Sequence, residues 1–162
     1  MFAHKRGDIF ESTTSSALGQ CISSDARMSR GLAKLFVSKY PALYNLRYQN
    51  LHLGDAVMMR VGGRIVFNLI TKKKFWQKPE LQTLEKSLVS MKTQAIMGGI
   101  GMVSLPRVGC GLDRLNYDND VKPLIGRIFR GSGIHIVVHT LVTVDIFRYS
   151  FSLQVIYKSI IM

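Results

Sequence analysis

Acidic residues are scarce in this chain: 10 Asp and Glu stand against 22 Lys and Arg, a net charge of +12 over 162 residues. An excess of that size favours polyanionic partners such as nucleic acid, nucleotide polymers or acidic membrane surfaces, and it concerns association rather than fold. Cysteine is scarcer still. Cys21 and Cys110 are the only two, which argues against a disulfide framework and suits a reducing compartment. There is no Cys-x-x-Cys pattern, and the one His-x-x-x-His pair, His135 and His139, falls in a strand-forming run, so no metal site is expected. No stretch of about 18 uncharged apolar residues occurs, so no membrane span is expected. Residues 1–7 are polar and basic with no apolar core, unlike a secretory signal. These absences together lead us to expect a soluble, monomeric intracellular protein.

What is present is an ordinary folding composition, 47% apolar and 20% charged, in a chain long enough for one domain with a real core. Residues 2–6 and 17–23 read as strands. A helix is expected from Asp25, because Met28, Leu32, Leu35 and Phe36 fall on one face, and Pro41 ends it. Residues 56–60 and 64–70 read as a hairpin turned by Gly62-Gly63. Residues 71–76 are expected to leave the sheet as a loop. Pro79 sits at a favoured first helical position, and Leu81, Leu84, Leu88, Met91 and Ala95 form the strongest helical stripe, closed by Gly98-Gly99. A strand at 101–105, a helix from Asn116 to Phe129, a turn at 131–133 and a strand at 134–140 follow. Helices alternating with strands and one interrupting hairpin predict an α/β protein, a three-layer α/β/α sandwich with a mixed central sheet. Residues 1–141 form the domain and 142–162 a C-terminal extension, which the sequence leaves without a structural reading.

The informative stretch is Pro106-Arg107-Val108-Gly109-Cys110-Gly111-Leu112-Asp113, between a strand and a helix. A glycine-rich turn there offers backbone N–H groups to a phosphate, and a following helix would add its positive dipole end. Asp113 is awkward in a phosphate cradle, since a carboxylate repels the anion; it is expected to face another part of the ligand. Ligands of such folds bind beyond the carboxyl ends of the strands, where both Thr71-Lys72 and the 106–113 loop are expected.

Four motifs in order resemble the macro-domain ADP-ribose glycohydrolases, more narrowly the branch acting on terminal protein-linked ADP-ribose and O-acyl-ADP-ribose. They are Gly7-Asp8-Ile9-Phe10, Cys21-Ile22-Ser23-Ser24-Asp25-Ala26-Arg27-Met28, Leu69-Ile70-Thr71-Lys72-Lys73 and the 106–114 loop ending in Arg114. The resemblance covers residues 5–141. It implies that Asp8 binds the adenine amino group, with Ile9 beside it. Lys72 attacks the anomeric carbon of the distal ribose, and Asp113 is the acid/base that resolves the lysyl adduct. Ser23, Arg107, Val108, Gly109, Cys110, Gly111 and Leu112 contact the ligand, and Leu141 lines the adenine side. Neither a metal nor another cofactor is implied. The partners implied are ADP-ribose and ADP-ribosylated proteins, with weak binding of nucleic acid or poly(ADP-ribose) through the positive charge and nuclear or cytoplasmic residence. One departure stands out. Where the family runs glycine, small residue, glycine, this chain has Ser29-Arg30-Gly31; Ser29 would crowd the ligand and Arg30 would pair with its diphosphate.

The chemistry of the residues is consistent with those roles. An amine of ordinary pKa, near 10.4, is protonated at neutral pH and needs a proton acceptor to act as a nucleophile. A ribosyl ester suits it, since its carboxylate leaves with little acid assistance. Plainer readings stand beside each assignment: a solvated basic loop for 72–74, a helix cap for Asp113, a turn former for Asp8, and a small packed residue for Cys110. His135 and His139, on one strand face, read as structural or exposed. Trp76 is a lone aromatic beside a basic run. Two other classes of function remain at this point: an ADP-ribose-binding module without catalysis, and a nucleic-acid-associated protein.

Overall fold

The computed structural model describes residues 1–110 and 115–140; Gly111, Leu112, Asp113, Arg114 and residues 141–162 lie outside the described residues. The domain boundary expected after residue 141, and the extension beyond it, therefore fall outside them too. Six strands make one sheet: β1 (Phe2–Arg6), β2 (Ala17–Ser23), β3 (Ala56–Val61), β4 (Arg64–Lys72), β5 (Met102–Pro106) and β6 (His135–Thr140). Their order is β1-β6-β5-β2-β4-β3. All neighbouring pairs run parallel except β3 with β4, so the sheet is mixed through one antiparallel edge strand.

Helices cover both faces, as the alternation of elements predicts. Along β4, Phe67 and Leu69 enter one core with Leu84, Leu88, Met91 and Ala95 of α2 (Leu81–Met97) and with Leu124, Ile125 and Ile128 of α3 (Lys122–Phe129). Val66 and Ile70 point the other way, to Phe36 and Val37 of α1 (Gly31–Lys39) and to Leu43 and Leu46 of the 3₁₀-helix Pro41–Tyr48. A strand buried on both faces reads as a near-continuous apolar run, and residues 65–70 of β4 do so apart from Asn68. Gly62 and Gly63 turn the β3–β4 hairpin with φ of +54° and +73°, the two positive values a tight hairpin turn requires. Among the described residues no helix is long and apolar enough to cross a membrane.

Several local expectations are corrected. The helix expected from Asp25 starts at Gly31, because Ala26 and Met28 take left-handed φ values of +47° and +43° that a helix cannot contain. Thr71 and Lys72 do not leave the sheet: they are the last residues of β4. Pro79 precedes α2 by two residues rather than opening it. The helix expected from Asn116 is a π-helical turn, Tyr117–Val121, leading into α3. Asn116 caps that turn by accepting the Asn119 N–H at 2.9 Å, and the helix then continues as α3 to Phe129.

Candidate active site

Because β1, β6, β5, β2 and β4 are parallel, their carboxyl ends line one edge of the sheet. Across that edge, in order, stand Asp8, the end of β6, residues 107–110, Ser23 and Lys72. Four inter-strand steps of about 4.8 Å give a row roughly 19 Å long. β2 and β5 are adjacent at its centre, yet the chain leaves β2 toward α1 on one face and β5 toward α3 on the other. Such a switch point is where open α/β sheets form their ligand crevice.

The β1 end is a built turn. The Gly7 N–H donates to the Thr140 carbonyl at 3.0 Å. Asp8 accepts the Phe10 N–H at 2.9 Å and thereby caps the 3₁₀ turn Ile9–Glu11, while Ile9 is wholly buried. The turn-forming reading of Asp8 is therefore realised, and its carboxylate is held at the rim.

At the other end of the row, the strand register slips between Ile22 and Ser23, which sets Ser23 opposite Lys72. The two following loops are then laced together. The Ser24 N–H donates to the Lys72 carbonyl at 2.8 Å, and the Asp25 N–H to the Lys73 carbonyl at 3.3 Å. The Ser24 hydroxyl donates to the Lys73 carbonyl at 3.0 Å. Asp25 accepts the Ser23 hydroxyl through one oxygen and the Phe75 N–H, at 3.3 Å, through the other. Over the Phe75 ring lie the guanidinium groups of Arg27 and Arg30, 4.5 and 5.2 Å from its centroid. Lys72 itself is half-buried, with its backbone paired to β2.

The central loop is tight. Val108 N–H reaches the Pro106 carbonyl at 2.7 Å, Cys110 N–H the Arg107 carbonyl at 3.2 Å, and Leu115 N–H the Gly109 carbonyl at 2.7 Å. Gly109 has φ of +74°, and a Cβ there would lie 2.8 Å from Leu115 Cδ1 and 3.4 Å from Leu84 Cδ2; a side chain there is strained by the backbone and displaces Leu115. Val108 is buried and Cys110 half-buried, its thiol directed to the Val108 carbonyl at 3.2 Å. Arg107 is exposed, with its guanidinium 4.7 Å from the Tyr117 ring centroid. The Tyr117 hydroxyl meets His4 Nε2 at 2.6 Å. Burial pushes the Tyr117 phenol up to about 12. Burial, with Lys122 and Arg107 nearby, pushes the His4 imidazole below its usual value.

His135 is exposed, whereas His139 is buried, set between Lys5 and Pro106 in the sheet register. Its Nδ1 has no hydrogen-bond partner, and burial followed by the Lys5 charge lowers its pKa. Among the described residues no group of three or more His, Cys, Asp or Glu could hold a metal ion. Asp113, Gly111, Leu112 and Leu141 lie outside the described residues.

No family model matches the chain. The human ADP-ribose glycohydrolase OARD1 is 39% identical to it over 136 residues, 84% of this chain and 89% of its own length. The chain belongs to the ADP-ribose glycohydrolase OARD1 family. The Bos taurus OARD1 matches it to the same extent. Solved structures extend this family assignment to fold: the macrodomain of Mycobacterium tuberculosis DarG superposes with a TM-score of 0.77 at 18% identity, covering 86% of this chain and 97% of its own. Thermosipho africanus DarTG in complex with ADP-ribose gives 0.74 at 20% identity, covering 87% and 42%. The three-layer sandwich is thus a macrodomain.

Of the positions that the family resemblance implied, the fold brings Ser23 and Lys72 into one register pair, puts Arg107, Val108, Gly109 and Cys110 beside them, and seats Asp8 and Ile9 at the far end of the row. Sequence reasoning missed the ties that hold this OARD1-family site together. Asp25 and Phe75 are 50 residues apart and His4 and Tyr117 are 113 apart; neither pair leaves a local pattern.

Proposed function

We propose that the chain removes ADP-ribose from ester linkages, on mono-ADP-ribosylated Asp or Glu side chains and in O-acyl-ADP-ribose. The observation that carries this reading is the position of Lys72 at the carboxyl end of β4, opposite Ser23 and on the same sheet edge as the glycine loop after β5, in a chain whose relatives are named ADP-ribose glycohydrolase. A row of about 19 Å suits an extended ligand with a base at Asp8, a diphosphate over residues 107–110 and a distal ribose at Lys72.

In this mechanism the Lys72 amine, having given a proton to Asp113, attacks the anomeric carbon of the distal ribose. The new C–N bond forms as the C–O bond to the acyl group breaks, and the carboxylate departs with its electron pair. Asp113 passes its first proton to the departing carboxylate. Water then attacks the same carbon while Asp113, again ionised, accepts its proton. The C–N bond of the lysyl ammonium breaks with its electron pair going to the amine, and Asp113 reprotonates Lys72 as free ADP-ribose leaves. Backbone N–H groups at the central loop hold the diphosphate.

Incubation with a glutamate-ADP-ribosylated protein tests the reading. Release by the parent, abolished in Lys72→Ala and reduced at least a hundredfold in Asp113→Ala, is expected, a range typical of proton-transfer catalysis. Undiminished release by Lys72→Ala would sink the lysine mechanism. Binding of ADP-ribose with no release by the parent would make the chain a reader rather than an enzyme.

A further inference from the structure

Residues 24–30 and 72–78 hold six cationic side chains and one carboxylate, that of Asp25. Asp25 accepts the Ser23 hydroxyl and the Phe75 N–H, and its single negative charge leaves the two loops with five net positive charges. Arg27, Arg30, Lys73, Lys74 and Lys78 are all exposed. Two of these cations are prearranged: Arg27 and Arg30 share the Phe75 ring, and stacking on a ring leaves the edge N–H donors of a guanidinium open to an anion. Trp76, immediately after Phe75, is 68% exposed. Among the described residues this large indole ring belongs to neither hydrophobic core cluster.

We infer that this rim, centred on Trp76 and flanked by Arg27, Lys73, Lys74 and Lys78, binds single-stranded nucleic acid separately from the ADP-ribose crevice. Cations that track a phosphate backbone, beside a ring on which a base stacks, are the two components of sequence-tolerant single-strand binding. An anionic membrane fits less well, since these two loops expose one large apolar side chain and no apolar cluster.

Trp76 is the only tryptophan, so its fluorescence reports the contact directly. Titrating the full chain with a twelve-residue oligothymidylate, which carries no ADP-ribose, is expected to quench that fluorescence saturably. The binding constant is expected to fall with salt with a log–log slope of about −2 to −3, the signature of three or four phosphate contacts on a single strand. With a labelled oligonucleotide, Trp76→Ala is expected to bind about tenfold more weakly, what one base–aromatic stack contributes. Lys74→Ala with Lys78→Ala is expected to make the slope shallower by about 1.4. Binding without quenching, equal binding of heparin with no loss in Trp76→Ala, or a blue-shifted Trp76 on anionic vesicles without oligonucleotide binding would each overturn the inference. Release of ADP-ribose from O-acyl-ADP-ribose by Trp76→Ala is expected at the parental rate; a loss there would place Trp76 in the crevice and overturn a separate surface. Failure of oligothymidylate to bind overturns the inference and leaves the hydrolase reading untouched.

Discussion

Two single residues concentrate much of the physics at the strand ends. Gly109 combines a left-handed backbone with a position closed by Leu115 and Leu84. Gly109→Ala is expected to cost about 1–3 kcal/mol and to weaken ADP-ribose binding, because a Cβ disfavours the left-handed backbone on which the loop's shape depends and displaces Leu115; calorimetric titration together with urea unfolding checks both. His139 is buried, and its pKa lies below the ordinary histidine value near 6.5. The unfolded chain therefore takes up a proton that the folded one resists, so stability contributed by the neutral ring is complete above about pH 7 and is lost as pH falls through 6.5 and below. His4 shifts in the same direction and adds to the slope. Unfolding midpoints between pH 7.5 and 5 are expected to fall less in His139→Gln than in the parent; an unchanged slope would show that His139 does not carry the effect.

At the level of elements, the sequence was most legible where one apolar period persisted. The α2 stripe Leu84, Leu88, Met91 and Ala95 is fully buried as its spacing predicts, and the Gly62-Gly63 hairpin turns where expected. Legibility failed where long-range ties overrule local preference. The 25–30 segment has helical spacing, but Ser23, Asp25 and Phe75 hold it as a loop around Lys72. Similarly, Thr71-Lys72 reads as the start of a basic loop until β2 pairs with it across the bulge. The order of the motifs disclosed the strand-end row because each lies at the carboxyl end of a strand, whereas the His4–Tyr117 pair had no trace in either segment. The helix also connects to the site: Leu84 lies beneath Gly109. Leu84→Ala is expected to lose about 2–5 kcal/mol and some ligand affinity, while Val89→Ala, on the exposed side of the same helix, is expected to stay within about 0.5 kcal/mol. Similar losses from both would contradict the two-faced packing of α2.

For the whole molecule, the decisive property is that five parallel strands deliver their ends to one edge and that the helices part to opposite faces at β2 and β5. A ligand spanning the row touches several elements at once and stabilises the domain as a unit. ADP-ribose at a hundred times its dissociation constant is expected to add about 2.7 kcal/mol, read as a rise of several degrees in the melting temperature, in Lys72→Ala as in the parent. Loss of the rise in Lys72→Ala would mean that this lysine acts in binding rather than chemistry. The covalent step remains the central claim. Its most direct test is intact-mass and peptide mass spectrometry of Asp113→Ala after mixing with a glutamate-ADP-ribosylated protein. An ADP-ribose adduct on Lys72 is the expected result, whereas ester cleavage with no adduct, or with the adduct on Lys73 or Lys74, would contradict Lys72 as the nucleophile.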